Sequence, residues 1–261
     1  MKNVLTILIS VIVWLAVPTA SFAQTEQEIL VSAAISLKEA FTEINKIFEA
    51  KNKHIKISFN FGASGDLKTQ IIGGAPVNVF ASASPKEMEE LEANDKIIQE
   101  TRLNFAGNEV VLIVPADSQL KIETFTDLQK PEIKKIALGN SQTVPAGRYA
   151  DEVLTYYKLK DAISLDRCVF GENVRQVLDY VARKEVDAGI VYTTDAKSRA
   201  KDVKVIARAP AESHKPIIYP IAAIKGEKNE AAAKQFIACV VSPEGLKVLE
   251  HYGFTTIPSK K

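Results

Sequence analysis

Two serines, Ser36 and Ser64, stand on similar turns where either could act as a nucleophile or as an anion ligand. Ser36 lies in Ala34-Ile35-Ser36-Leu37-Lys38-Glu39 and Ser64 in Gly62-Ala63-Ser64-Gly65-Asp66. Each follows a strand-like run and opens a helix-like one. A serine on a Gly-rich strand-to-helix turn fits a hydrolase elbow, and Ser64, Asp195 and His214 or His251 occur in the Ser…Asp…His chain order of that class. The elbow requires G-x-S-x-G, however, and Asp66 occupies the place of the last glycine. The same turns could also cradle an oxyanion, or simply cap their helices. Ser36 with Glu39 has the form of an S-x-x-E capping box.

Two further helix starts share this chemistry without a hydroxyl: Val144-Pro145-Ala146-Gly147 and Gly171-Glu172-Asn173-Val174. Unpaired backbone N–H groups at a helix start, with about half a positive charge from the dipole, bind anions without Lys or Arg. Such a cage of neutral donors suits a fully deprotonated oxyanion. Hydrogen phosphate keeps a proton and wants an acceptor, and Asp66 and Asp195, close in sequence to these turns, leave phosphate open. Arg148 and Arg175 adjoin the turns and are expected to pair at the surface.

The elements that must position these turns alternate along the chain. Strands are expected at 29–33, 55–61, 77–81, 109–114, 135–138, 167–170, 188–191, 203–207 and 217–224. Helices are expected at 36–50, from Asp66, and at 85–94, 147–158, 173–184, 228–241 and 243–250. In the first helix Leu37, Ala40, Phe41, Ile44, Ile47 and Phe48 fall on one face. The apolar run Val110 to Val114, closed by Pro115, reads as a strand buried on both faces. Such alternation implies parallel sheets flanked by helices. Two lobes match the usual domain size better than one long sheet, and ligands in such sheets bind beyond the carboxyl ends of the strands.

The N-terminus reads as an export signal: Lys2, an apolar run from Val4 to Val17, then small residues, with cleavage after Ala23. The run is shorter than the roughly 20 residues that span a bilayer, and no Cys follows the cleavage point. The remaining chain has as many basic as acidic residues, which argues against a general nucleic-acid binder. Cys168, in an expected strand, and Cys239, in an expected helix, are read as unpaired core residues. The three histidines show no zinc-ligand spacing.

The segments SAAISLKEAF, FGASGDLKTQI, GGAPVNVFASA, VPAGRYA, ENVRQVLDYV, GIVYTTDA and YGF, in this order, resemble the periplasmic molybdate-binding proteins of ABC importers. The resemblance covers residues from about 29 to 258. It implies a class II periplasmic-binding fold: two α/β lobes joined by hinge crossovers, divided here as 24–104 with 208–261, and 105–207. It also implies a monomer that serves a membrane permease from the periplasm, with no enzymatic activity and no cofactor beyond its ligand, molybdate or tungstate. Carried over by motif, the ligand contacts are Ser36 and Ser64 through hydroxyl and N–H, Ala146 and Val174 through N–H, and Tyr192 through its phenol. None of these is a carboxylate, so the metal is expected to stay within its own tetrahedral oxyanion. Asn78 stands where the family commonly has Asp.

Overall fold

A computed structural model describes residues 26–257; the expected export signal and cleavage point lie outside them. The first half of the chain alternates β1 (Gln27–Ala34), α1 (Lys38–Lys51), β2 (Ile55–Gly62), α2 (Ser64–Ile72), β3 (Val79–Ala81) and α3 (Pro85–Ala93), then adds β4 (Leu103–Gly107) and β5 (Val110–Pro115). Next come β6 (Ile136–Gly139), α4 (Pro145–Tyr156), β7 (Cys168–Gly171), α5 (Val174–Ala182), β8 (Ala188–Tyr192), α6 (Thr193–Ser198) and β9 (Val203–Arg208). The chain closes with β10 (Ile218–Ala223), α7 (Glu230–Val240), α8 (Pro243–His251) and β11 (Thr255–Thr256).

These strands form two sheets, ordered β11-β4-β10-β3-β1-β2 and β7-β6-β8-β5-β9. Both contain a parallel trio with its first strand in the middle: β1 between β2 and β3, and β6 between β7 and β8. The sheets are mixed rather than parallel throughout, which corrects the expectation from the alternation. β10 runs antiparallel to β3 and β4, and β5 runs antiparallel to β8 and β9. The apolar run in β5 is fully buried as expected, but at the centre of antiparallel neighbours. The chain passes from the first sheet to the second at Asn108–Glu109 and returns between Arg208 and Ile218.

Because the trios share a topology, the helices after their first two strands start at equivalent places. These are the 3₁₀ turn Ile35–Leu37 leading into α1, the start of α2, the start of α4 and the start of α5. All four lie beyond strand carboxyl ends, where open α/β sheets present loops for ligands. Strands β4 and β11 and the short α6 have no expected counterpart. β4, which lies between β10 and the two-residue edge strand β11, has weak apolar patterning, as does β11.

Packing in the core fixes where these starts sit. Phe41 and Phe48 of α1 meet Phe236 of α7 edge-on, with ring centroids 5.8 and 5.6 Å apart. In the second sheet α4 presses directly on β6: a Cβ added at Gly147 would lie 2.2 Å from the Gly139 carbonyl oxygen. Helix propensity alone favours alanine there by up to about 1 kcal/mol, but that overlap with backbone reverses the sign. Gly147→Ala is expected to lower the thermal midpoint by roughly 2–12 °C, from an overpacking cost of about 1–3 kcal/mol. A midpoint that rises on this substitution would contradict the packing described.

Candidate functional site

Ser36, Ser64, Ala146, Val174 and Tyr192 line one small cavity between the two sheets. Its interior volume is about 10 Å³, close to the least that holds a single water. Every lining residue is uncharged. Ser36 and Ser64 come from the first sheet's helix starts, Ala146 and Val174 from the second's, and Tyr192 ends β8.

Neither serine caps its helix, which corrects the capping-box reading. Ser36 sits within the 3₁₀ turn, and its Oγ lies 3.0 Å from the Tyr219 hydroxyl. Glu39 turns away to Arg175. Ser64 is the first residue of α2, and its Oγ accepts from Ala83 N–H at 3.0 Å. In both cases a tertiary partner outcompetes the local bond that sequence spacing suggested. Ser64 has no histidine as its hydrogen-bond partner: His214 is half-buried against Tyr149 with its Nδ1 against the Lys215 carbonyl, and His251 is exposed.

The backbone supplies further donors. No side chain caps the 3₁₀ turn, α2 or α4. At α5 the Asn173 side chain takes Gln176 N–H, deeper in the first turn than Val174. The N–H groups of Ala146 and Val174 therefore belong to the set that a helix cannot satisfy itself. By contrast α3 and α8 are capped by Ser84 and Ser242. The Tyr192 hydroxyl is fully buried and has no partner among the described residues. Burial pushes its pKa well above the ordinary value, with the nearby Tyr219 and Tyr149 adding to the effect, so it remains a donor. An unpaired buried hydroxyl costs about 1–3 kcal/mol; an acceptor in the cavity would remove that penalty.

Contacts between the sheets surround this space. Arg175, next to Val174, holds Glu39 of α1 through two bonds of 2.7 and 2.8 Å. Arg148, two residues past Ala146, holds the buried Glu87 of α3 at 2.6 Å. Both arginines were expected at the surface, yet both are largely buried and tie one sheet's helices to the other's. Gly65 N–H donates to the Thr143 carbonyl at 3.0 Å, and a Cβ on Gly65 would come within 2.6 Å of that oxygen. The second glycine of GASG is thus required by this close approach. Asp195, wholly buried, lies 3.4 Å from Arg175 Nε. Burial raises its pKa to about 7, against the opposing pull of Arg175.

Sequence reasoning missed Ala83, which braces Ser64, and Tyr219 with Asn108, which stand behind Ser36. Their bonds span 19 to 183 residues and leave no local pattern. Asn78 lies away from the cavity. Its Oδ1 accepts from Leu30 N–H and its Nδ2 donates to the Lys228 carbonyl, a pair of roles that an ionised Asp could not fill. Cys168 and Cys239 are unpaired.

Residues 29–255 match the model of the bacterial extracellular solute-binding proteins, and the chain belongs to that family. It is 41% identical over 225 residues to YvgL of Bacillus subtilis, named as an ABC transporter substrate-binding lipoprotein, covering 86% of this chain and 85% of that one. It is 38% identical over 241 residues to the molybdate-binding protein ModA of Haemophilus influenzae, covering 90% and 92%. The solved periplasmic molybdate-binding protein of Azotobacter vinelandii superposes with a TM-score of 0.79 at 25% identity, covering 88% of this chain and all of that one. The architecture is the two-lobed class II periplasmic-binding fold, and these relatives are binding proteins rather than enzymes.

Two outcomes follow from the site. Tyr192→Phe is expected to weaken oxyanion affinity about 10- to 100-fold, since a bond to a charged acceptor contributes roughly 1.5–3 kcal/mol. The midpoint of the unliganded protein should not fall; titration calorimetry and thermal unfolding read the two effects, and unchanged affinity would contradict the role given to the phenol. For Asp195 the folded pKa of about 7 exceeds the unfolded value. Its contribution to stability is therefore full below about pH 4 and lost as the pH rises to about 7. Denaturant unfolding of Asp195→Asn across that window should show a flatter pH dependence than the parent; an identical slope would contradict the assignment.

Proposed function

We propose that this protein captures molybdate, and tungstate with it, for delivery to an ABC permease in the membrane. The observation that carries the reading is the uncharged cavity whose unmade bonds are donors: the N–H groups at the helix starts and the Tyr192 hydroxyl. Ser36 and Ser64 would bind the anion through hydroxyl and N–H, Ala146 and Val174 through N–H, and Tyr192 through its phenol. The names of the Haemophilus and Azotobacter relatives support molybdate as the ligand. The metal would stay inside its own four oxygens, with no protein carboxylate reaching it.

The lobes follow the sheets, close to residues 24–104 with 208–261 and 105–207. Since β4 runs to Gly107, the first crossing falls at Asn108–Glu109, a few residues beyond the division read from sequence. Hinge motion at the two crossings would open and close the cavity, with the Arg175–Glu39 and Arg148–Glu87 pairs forming on closure. The protein would work as a monomer in the periplasm after cleavage behind Ala23. Among the described residues no helix is long and apolar enough to cross a membrane.

Thermal unfolding with each anion tests the ligand. At 100 times the dissociation constant a bound ligand stabilises by about 2.7 kcal/mol, which is roughly 5–11 °C for a chain of this size. Molybdate and tungstate should both produce that shift, whereas phosphate, which keeps a proton, should not. A shift with sulfate and none with molybdate would overturn the assignment.

A further inference from the structure

We propose that Asn108 and Tyr219 are positioning residues that fix the Ser36 hydroxyl as a donor into the cavity, and so set the preference for anions without a proton. The inference deepens the proposed function and rests on it. Asn108 lies at the first crossing between the sheets, and Tyr219 lies in β10 of the first.

The direction of each bond in this chain is determined by what its partners can do. Glu109 N–H can only donate, and it reaches Asn108 Oδ1 at 2.9 Å, which orients the amide. Asn108 Nδ2 is then aimed at Thr194 Oγ1, 2.9 Å away, and at the Tyr219 hydroxyl oxygen, 3.2 Å away. Tyr219 is fully buried, and among the described residues its hydroxyl has one other partner, Ser36 Oγ at 3.0 Å. Its proton cannot go to an amide NH₂. If Ser36 donated to Tyr219, the phenol proton would be buried without an acceptor, an arrangement that folded proteins avoid. Tyr219 therefore donates to Ser36, and the Ser36 proton is left for the cavity that Ser36 lines.

Ser64 is set in the same way by a shorter device. Ala83 N–H, a fixed donor, occupies its Oγ from behind and leaves its proton free. With the Tyr192 hydroxyl unpaired, all three cavity hydroxyls can donate while two have an oxygen lone pair already engaged. A protonated anion needs an acceptor, and two of the three hydroxyl oxygens already have a lone pair engaged elsewhere. The Thr194 contact adds a second consequence: Asn108 links the Ser36 network in the first lobe to α6 in the second.

Asn108→Asp tests the polarity because a carboxylate accepts where the amide donates. Tyr219 would then donate to the introduced carboxylate, and its oxygen would accept from Ser36, turning a Ser36 lone pair towards the cavity. Calorimetric titration with molybdate, with inorganic phosphate in competition, should show molybdate affinity reduced 10-fold or more and the molybdate-to-phosphate preference narrowed. In a Tyr219→Phe background the relay is cut, so adding Asn108→Asp should change molybdate affinity less than threefold. The added negative charge acting through space would persist in that background. Asn108→Ala repeats the comparison without the charge and should show a smaller loss that also vanishes with Tyr219→Phe. Equal effects in both backgrounds, or an unchanged anion preference, would overturn the relay while leaving the proposed function intact. Absence of molybdate binding by the parent protein would overturn both.

Discussion

A helix cannot satisfy its own first backbone N–H groups, and in this protein four helix starts from two sheets leave such groups around one uncharged space. Most of the remaining design follows from keeping that space free of both acceptors and charges. The serines that could have capped two of these helices are drawn into tertiary bonds instead, Ser36 to Tyr219 and Ser64 to Ala83. Arg148 and Arg175 stand within two residues of the donor positions, yet each is neutralised by a glutamate from the opposite sheet. A cationic cavity would attract many anions. Neutral donors at fixed positions select by geometry and protonation state instead.

The pairing of charges also bears on the two-lobed architecture. Arg175–Glu39, Arg148–Glu87 and the Gly65–Thr143 backbone bond all join the sheets around the cavity. Such contacts can form only when the lobes are together, so they and a bound anion would favour the same closed arrangement. Burying each arginine without its partner would be costly, and the proposed separation of the lobes would return both to water. Asp195 belongs to this assembly as a wholly buried carboxyl beside Arg175, with its pKa raised to about 7. Ionisation there adds negative charge close to Tyr192.

Much of the architecture was legible because the signals were local. Apolar periodicity located α1, the continuous run located β5, and proline or glycine at the turns located the starts of α3 and α4. All five candidate ligand residues line a single cavity, because strand-to-helix turns at equivalent points of two parallel trios must face each other when the sheets do. Direction of strand pairing was not legible: β5 and β10 are apolar like parallel strands but enter their sheets from the crossings and run antiparallel. Side-chain partners were not legible either. The capping box was contradicted by Tyr219, 183 residues away from Ser36, and the surface role of the arginines by helices from the other sheet.

The most direct measurement is a crystal structure of the protein grown with molybdate, with molybdenum located by its anomalous scattering. The proposed cage predicts one molybdenum between Ser36, Ser64, Ala146, Val174 and Tyr192, as a tetrahedral anion whose oxygens accept only from hydroxyl and backbone N–H groups. Molybdenum located elsewhere, or coordinated by an oxygen of Asp66 or Asp195, would contradict it.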